Sequence, residues 1–204
     1  MRTETPWSSV RRRYDRPMGA AGWIAIGVVV LLVLWAIWAF NRLVRYRNRA
    51  DEGWAQIDVQ LRRRYDLIPN LIATVQGYAA HEREVFEAVT KARAQAEGAT
   101  GVAGQADAEN AVTAGLRQLL AVAENYPDLK ANQNFLALQE ELTGTESKIA
   151  YARQYYNDQV RLLNTAIESF PSSVLANLFH FTRREFFDIE DAARAPVQVD
   201  FEGS

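Results

Sequence analysis

The sequence contains no cysteine among its 204 residues. Disulfide bonds, thiolate metal sites and cysteine nucleophiles are therefore excluded. The absence does not identify the compartment, because a chain without cysteine is compatible with either side of a membrane.

Histidine is almost as scarce, with only His81 and His180. Di-iron helical bundles need Glu-x-x-His pairs on two helices, and neither histidine has a glutamate three residues before it. His81-Glu82 begins like a zinc-protease helix, but Val85 stands where the second histidine is required. We therefore predict no metal site and no cofactor, and we interpret His81 as a solvated surface residue.

Nucleotide-binding loops are also missing, because the sequence has no GxxxxGK[ST] motif and no GxGxxG after a strand. Serines and acidic residues are plentiful, but no histidine is placed as a recognisable base for a nucleophile. The sequence therefore predicts neither a catalytic site nor a small-molecule substrate. An uncharacterised hydrolase is the alternative from the enzyme class.

Charge is absent from residues 19–40, which form one apolar run of 22 residues. As a helix the run would be roughly 33 Å long, enough to cross a hydrocarbon core of about 30 Å. Trp23 lies near one end, and Trp35, Trp38 and Phe40 lie near the other, as expected at the two membrane interfaces. A cleaved signal peptide would be shorter and would need a small-residue cleavage site, so we predict a single transmembrane helix.

Basic residues are distributed unevenly around this run. Residues 1–18 form a basic extension with five arginines and two acidic residues, a net charge of +3, whereas residues 41–204 carry 18 basic and 23 acidic groups, a net of −5. The acidic balance of the C-terminal part predicts that it does not bind nucleic acid. Arginines flank both ends of the run, so the positive-inside rule does not decide the orientation.

Three of the arginines that follow the run lie on one helical face. Arg42, Arg45 and Arg49 are close enough to the bilayer to contact anionic lipid head groups. The alternative is that they are a solvated cluster that flanks the membrane.

The rest of the chain, residues 41–190, has apolar residues at helical spacing and no strand-like alternation. One stripe runs from Ile57 to Ala79, where Pro69 either kinks a long helix or lies in the first turn of a new one. Glycines at 98, 101 and 104 predict a loop over residues 97–107. A coiled-coil-like seam from Phe135 to Phe170 predicts a long helix of about 36 residues. The fold class predicted is all-α, an antiparallel up-and-down bundle after the transmembrane helix.

Pro171 ends the seam, and either Ser172 or Ser173 is expected to cap a short amphipathic helix. The aromatic residues that follow either lie on a membrane surface or close one end of the bundle. Residues 191–204 are predicted to be a flexible tail.

A short basic run, Arg62, Arg63 and Arg64, lies on the first helix of the domain. Such a run can bind phosphate or an acidic partner helix. The alternative is a solvated face that makes at most intramolecular pairs with acidic residues.

Several longer motifs occur in a characteristic order. Residues 53–71 read GWAQIDVQLRRRYDLIPNL, and Gly77-Tyr78 and His81-Glu82 continue this segment. Residues 126–132 read YPDLKAN, and Tyr156-Asn157 with Val160 and then Phe170-Pro171 follow. Together these motifs closely resemble the LemA family of bacterial membrane proteins, over roughly residues 40–201.

The resemblance implies one N-terminal transmembrane helix followed by an up-and-down four-helix bundle. The family has no established catalytic residues, so no residue roles are carried over. Its usual description places a short N-terminus outside the bacterial inner membrane and the bundle in the cytoplasm. The arginine-bearing extension of residues 1–18 departs from that pattern, because it is longer than the usual few residues.

Our leading hypothesis is a membrane-anchored scaffold or adaptor that binds a protein partner, or copies of itself, through exposed faces of its long helices. One alternative is an accessory factor for a membrane protease in envelope quality control, which the association of family members with such proteases would suit. The hydrolase is the other, and loss of activity in His81→Ala would support it.

Overall fold

The computed structural model describes residues 20–189, and it is all-helical there, without a β-strand in that range. The predicted extension of residues 1–18 and the predicted tail of residues 191–204 lie outside the described residues. Between residues 20 and 189 six helices follow one another: α1 (Ala20–Gln76), α2 (Arg83–Glu97), α3 (Val102–Glu124), α4 (Pro127–Lys130), α5 (Gln133–Glu168) and α6 (Ser172–Leu178).

Helix α1 joins the apolar run to the first helix of the domain without a break. Its 57 residues correspond to roughly 86 Å of helix. The apolar part is long enough to cross a membrane, and none of residues 20–38 is buried against the rest of the protein. Pro69 lies inside α1, so it does not start a new helix. Helix α1 continues because Ile68 and Leu71, on either side of Pro69, are both fully buried in the core.

Helix α5 runs antiparallel to α1 and forms the main packing partner of its domain part. Gly53 allows the two backbones to approach closely, since a Cβ atom there would lie 3.1 Å from the Cα of Tyr156. The predicted seam is confirmed for nine of its eleven positions: Phe135, Leu142, Thr145, Ile149, Ala152, Tyr156, Val160, Leu163 and Ile167 are buried. Leu138 is half-buried and Phe170 is exposed, because α5 ends at Glu168, before Phe170 is reached.

Helices α2 and α3 form a second antiparallel pair, and both also contact α1. The loop between them is shorter than the predicted one, since α3 already begins at Val102. Of the three glycines in the predicted loop, only Gly101 has a left-handed backbone, with φ of 77°. Gly104 is accommodated within α3, whose first turns place Ala106 against the core. The prediction of a loop over 102–107 is therefore wrong.

The connection from α3 to α5 is tied to the α1–α2 turn. The side-chain oxygen of Asn132 accepts hydrogen bonds from the backbone N–H groups of Asn134 and Phe135, which caps the start of α5. The Asn132 amide also donates to the Tyr78 hydroxyl at 3.0 Å. These bonds position the end of the domain that lies farthest from the apolar run.

After α6 the chain returns along α1 and α5 as an extended segment, residues 181–189, which we call the strap. Asn157 makes two hydrogen bonds with the backbone of Phe187, and Asn164 makes two with the backbone of Arg184. Phe187 is fully buried, with its ring centroid 5.2 Å from that of Trp54. The strap therefore completes the core on one side of the α1–α5 pair.

Helix α6 packs against the α1–α5 pair where the apolar run ends. Its buried residue is Ala176, which joins a small cluster with Leu43, Leu163, Ala166 and Ile167. No serine side chain caps α6; the Ser172 hydroxyl instead donates to the carbonyl of Ala166 at 2.7 Å. The predicted serine cap is therefore wrong, because α5 carbonyls compete for that hydroxyl.

Candidate functional site

The Arg62–Arg64 run is divided by the fold, because one of its members points into the core. Arg64 is only 1% exposed, and its guanidinium forms an ion pair with Glu109 of α3, which is 0% exposed. A second pair joins Arg64 to Glu146 of α5 at 2.9 Å. The prediction that Arg64 contacts phosphate or a partner at the surface is therefore wrong, because carboxylates within the protein neutralise its charge.

Tyr65 and Gln105 complete this buried polar cluster. The Tyr65 hydroxyl and the Gln105 amide both donate to the same carboxylate oxygen of Glu109, the amide at 2.9 Å. Burial raises the pKa of Tyr65, and the hydrogen bond to Glu109 raises it further. The phenol therefore stays protonated at neutral pH and acts as a hydrogen-bond donor.

The cluster connects α1, α3 and α5 across the middle of the domain. Removing one member of a buried ion pair leaves the other charge without compensation, so the cluster fixes the relative positions of these helices. Sequence analysis missed Glu109. Its signal was available, because the stripe of Val112, Leu116 and Leu119 reaches Glu109 when extended back by three residues.

Arg62 and Arg63 lie on the surface, where each forms an ion pair within the protein. Arg62 pairs with Asp58 one turn away at 3.1 Å, and Arg63 pairs with Glu141 of α5 at 2.8 Å. Exposed pairs of this kind contribute little stability. A contact of Arg62 or Arg63 with a partner stays a prediction.

Arg42, Arg45 and Arg49, which follow the apolar run, are all exposed on the surface of α1. The Arg42 guanidinium lies 5.4 Å from the ring centroids of both Trp38 and Tyr46, and it donates to the Tyr46 hydroxyl at 3.0 Å. These contacts hold Arg42 beside the end of the apolar run. The head-group contact predicted for Arg42, Arg45 and Arg49 stays a prediction.

An open groove lies between α1 and α5, and among residues 20–189 its lining comes from these two helices alone. Its volume is about 740 Å³. Val59 is 59% exposed and Tyr151 is 73% exposed, although both are large apolar or aromatic residues. Nine residues line the groove: Glu52, Ala55, Gln56, Val59, Gln60, Lys148, Tyr151, Ala152 and Tyr155. We call this surface the α1–α5 groove.

Neither histidine takes part in a chemical cluster. His81 and His180 are both exposed. Within residues 20–189, no group of three or more histidine, aspartate and glutamate side chains is arranged to hold a metal ion. Charge is buried most completely in the polar cluster around Glu109, where Arg64 is 1% exposed and Glu109 is 0% exposed.

Comparison with known proteins identifies the family of this chain. The sequence pattern of the LemA family matches residues 53–201, which is most of the chain. The chain belongs to the LemA family. The match starts at Gly53, the residue that lets α1 and α5 approach, and it includes the buried cluster, the groove's α5 wall and the strap.

Two magnetosome proteins are among the relatives of this LemA-family chain. Magnetosome protein MamQ 2 of Paramagnetospirillum magneticum is 24% identical over 95% of this chain and 79% of its own length. Magnetosome protein MamQ of Magnetospirillum gryphiswaldense is 23% identical over 93% of this chain and 79% of its own length. The family and its apolar N-terminal helix make this a membrane-associated protein.

The motifs that carried the LemA resemblance have structural roles in this fold. Residues 53–71 supply the face of α1 that packs on α5, together with Arg64 of the buried cluster. Residues 126–132 form α4 and the cap of α5. Tyr156 and Asn157 both hydrogen-bond to the backbone of the strap. These motifs thus specify the assembly of the α1–α5 pair.

Proposed function

We propose that this LemA-family protein is a single-pass membrane scaffold that binds a helix of a partner protein in the α1–α5 groove. The observation that carries the proposal is the uncovered apolar surface of the groove, with Val59 and Tyr151 exposed. Exposed apolar surface of this kind is characteristic of interaction sites.

The two sides of the α1–α5 pair differ in a way that supports the proposal. On one side the strap buries Phe187 against Trp54, whose ring also packs against that of Tyr156. On the other side the groove has small residues, Ala55 and Ala152, beside exposed Val59 and Tyr151. An amphipathic helix that lays its apolar face into such a groove would bury these side chains.

Charge favours a different protein over a second copy as the occupant. Glu52 lies at the end of the groove nearest the apolar run, and Lys148 lies about 12 Å farther along, near Gln60. Two copies anchored in one membrane have parallel α1 helices, so a two-fold contact groove to groove would place Glu52 beside Glu52. A partner helix with a basic residue toward the membrane and an acidic residue away from it would complement both groups.

The test is site-specific photo-crosslinking in native membranes. A photoreactive amino acid replaces Val59 or Tyr151, and Leu136, an exposed apolar residue elsewhere on α5, provides the control position. We expect an adduct from the two groove positions and none from Leu136. Mass spectrometry of the adduct should locate the crosslink in an apolar stripe of a helical segment.

Charge exchange tests the same groove independently. The double variant Glu52→Lys with Lys148→Glu should weaken the adduct, because it reverses the charge at both ends. An adduct that contains two copies of this chain would replace the proposal with self-association. A partner that proves to be a membrane protease would make the scaffold a protease accessory factor.

We further propose that the protein lies in the bacterial inner membrane with its helical domain in the cytoplasm. The exposed arginines after the apolar run and the orientation implied by the LemA resemblance support this arrangement. The five arginines of residues 1–18 favour the reverse. Protease treatment of sealed right-side-out and inverted vesicles decides: cleavage of the domain only in inverted vesicles is expected, and cleavage only in right-side-out vesicles contradicts it.

A further inference from the structure

Helix α6 and its flanks expose a compact apolar face. Phe170 is 84% exposed and Leu178 is 66% exposed, and Val174 and Phe179 are also more than half exposed. Val174 and Leu178 are four residues apart and therefore lie on one side of α6. The buried side of α6 is occupied by Ala176. One side of this short helix thus completes the domain, and the other is uncovered.

This face lies at the level where α1 leaves the apolar run. The ring centroid of Phe179 is 4.8 Å from that of Phe40, the last residue of the run. Trp35 and Trp38 lie within the last turns of the same run. Aromatic residues at such positions mark the interface between hydrocarbon and head groups.

A cleft of about 220 Å³ lies between the end of the apolar run and the residues that lead into α6. Trp35 and Trp38 form its α1 side, and Leu162 and Phe170 form its opposite side. Arg42 lies at the cleft and is held by Trp38 and Tyr46. The exposed apolar surface is therefore continuous from the apolar run of α1 to α6, with a cationic group beside it.

We propose that the face formed by Phe170, Val174, Leu178 and Phe179 inserts into the leaflet from which α1 emerges, so that lipid holds the domain at two points. A short amphipathic helix can lie in the interface with its apolar side among the upper acyl chains. The inference rests on α1 crossing the bilayer, as proposed above. It adds that the domain is held at a fixed tilt beside its anchor.

Lipid is favoured as the occupant because the face is continuous with the membrane span. A soluble partner that covered Phe179 would have to enter the interface occupied by Phe40 and Trp38. Arg42 beside the cleft is placed to pair with a lipid phosphate.

The absence of native cysteine makes depth measurements direct, because each label needs only one substitution. The full chain is reconstituted in vesicles of phosphatidylcholine and phosphatidylglycerol with a fluorescent label at Val174→Cys or Leu178→Cys. Leu31→Cys, in the middle of the apolar run, is the control for lipid contact, and Leu136→Cys is the control for aqueous exposure. Quenching is compared between lipids with a nitroxide high on the acyl chain, lipids with one near the chain end, and aqueous iodide.

We expect labels at Val174 and Leu178 to be quenched several-fold more by the shallow nitroxide than the label at Leu136. The label at Leu31 should respond to the deep nitroxide. Leu178→Glu, a substitution at an exposed site, should abolish lipid quenching of the label at Val174. Retained circular dichroism would show that this variant still folds.

Two other results would overturn the inference in distinguishable ways. If Leu31 is quenched by lipid while Val174 and Leu178 respond to iodide as Leu136 does, the span stands and the α6 contact is wrong. If Leu31 is not quenched by lipid either, the span itself fails. Protection of Val174 and Leu178 from both quenchers, increasing with protein density, would assign the face to a second copy instead.

Discussion

At the scale of single residues, the ion pair of Arg64 and Glu109 places two opposite charges in the core of the domain. Both side chains are essentially inaccessible to water, so replacing only one leaves a buried charge without its partner. We predict that Arg64→Met lowers the free energy of unfolding by about 3–5 kcal/mol. Urea unfolding of the full chain in mild detergent, followed by circular dichroism, measures the change.

Arg63→Met is the matched control, because Arg63, the neighbour of Arg64 on α1, forms an exposed pair with Glu141 of α5. It should change the free energy of unfolding by less than about 1 kcal/mol. The double variant Arg64→Met with Glu109→Leu should recover much of the loss, since neither charge is then buried alone. Equal losses in Arg63→Met and Arg64→Met would show that the buried pair has no special role.

Tyr65 gives the domain a specific sensitivity to alkaline pH. Its pKa is raised by burial and by Glu109, while in the unfolded chain the phenol titrates near about 10. Above that pH the unfolded chain releases a proton that the folded chain keeps, so stability falls by about 1.4 kcal/mol per pH unit. Below a pH of about 10, Tyr65 is protonated in both states, so it does not make the free energy of unfolding depend on pH.

Tyr65→Phe removes this proton from both states. The variant should therefore show a shallower loss of stability above pH of about 10, even though it also lacks the hydrogen bond to Glu109. Burial raises the pKa of Tyr156 as well, so some alkaline loss should remain. Urea titrations at a series of alkaline pH values give the two slopes, and identical slopes would disprove the role of Tyr65.

At the scale of elements, the strap is held to α5 mainly by side chains that bind its backbone. Asn157 donates to the Phe187 carbonyl at 3.0 Å and accepts from the Phe187 N–H at 2.9 Å. We predict that Asn157→Ala reduces the free energy of unfolding by about 1–3 kcal/mol, because both backbone groups lose their partner.

Hydrogen exchange localises this effect. The Phe187 amide should exchange faster in Asn157→Ala, whereas Gln154→Ala, an exposed substitution on the same helix, should leave it unchanged. Unchanged protection of Phe187 in Asn157→Ala would mean that packing against Trp54 alone holds the strap.

At the scale of the whole molecule, α1 carries the apolar run directly into the domain, and the run contacts the domain only near its last residues, as in the ring contact of Phe40 with Phe179. Of the described residues 20–40, only Ala39 is buried, so a fragment that begins at Asn41 keeps every other described core residue. We predict that a fragment from Asn41 onward remains helical by circular dichroism and stays in the aqueous fraction. The full chain should sediment with membranes, and a fragment with mainly sheet signal would contradict the fold.

The apolar run, the helical stripes and the long seam were predictable because they depend on local periodicity. The stripe that begins at Ile57 predicts one apolar face of α1, and Ile57, Leu61 and Ile68 of that face are buried in the core. Glycine content gave a wrong prediction for residues 102–107, which belong to α3. Of the glycines at 98, 101 and 104, only Gly101 has a left-handed backbone. Composition alone does not show which glycine breaks a helix.

The sequence by itself determined that the chain is a membrane-associated assembly of helices, because hydrophobic length and period act over neighbouring residues. Tertiary structure alone decided that Arg64 is a core residue, since Glu109 lies 45 residues away along the chain. It also decided that the strap covers one side of the α1–α5 pair and leaves the groove open. Such outcomes depend on which distant surfaces meet, and no local pattern records that.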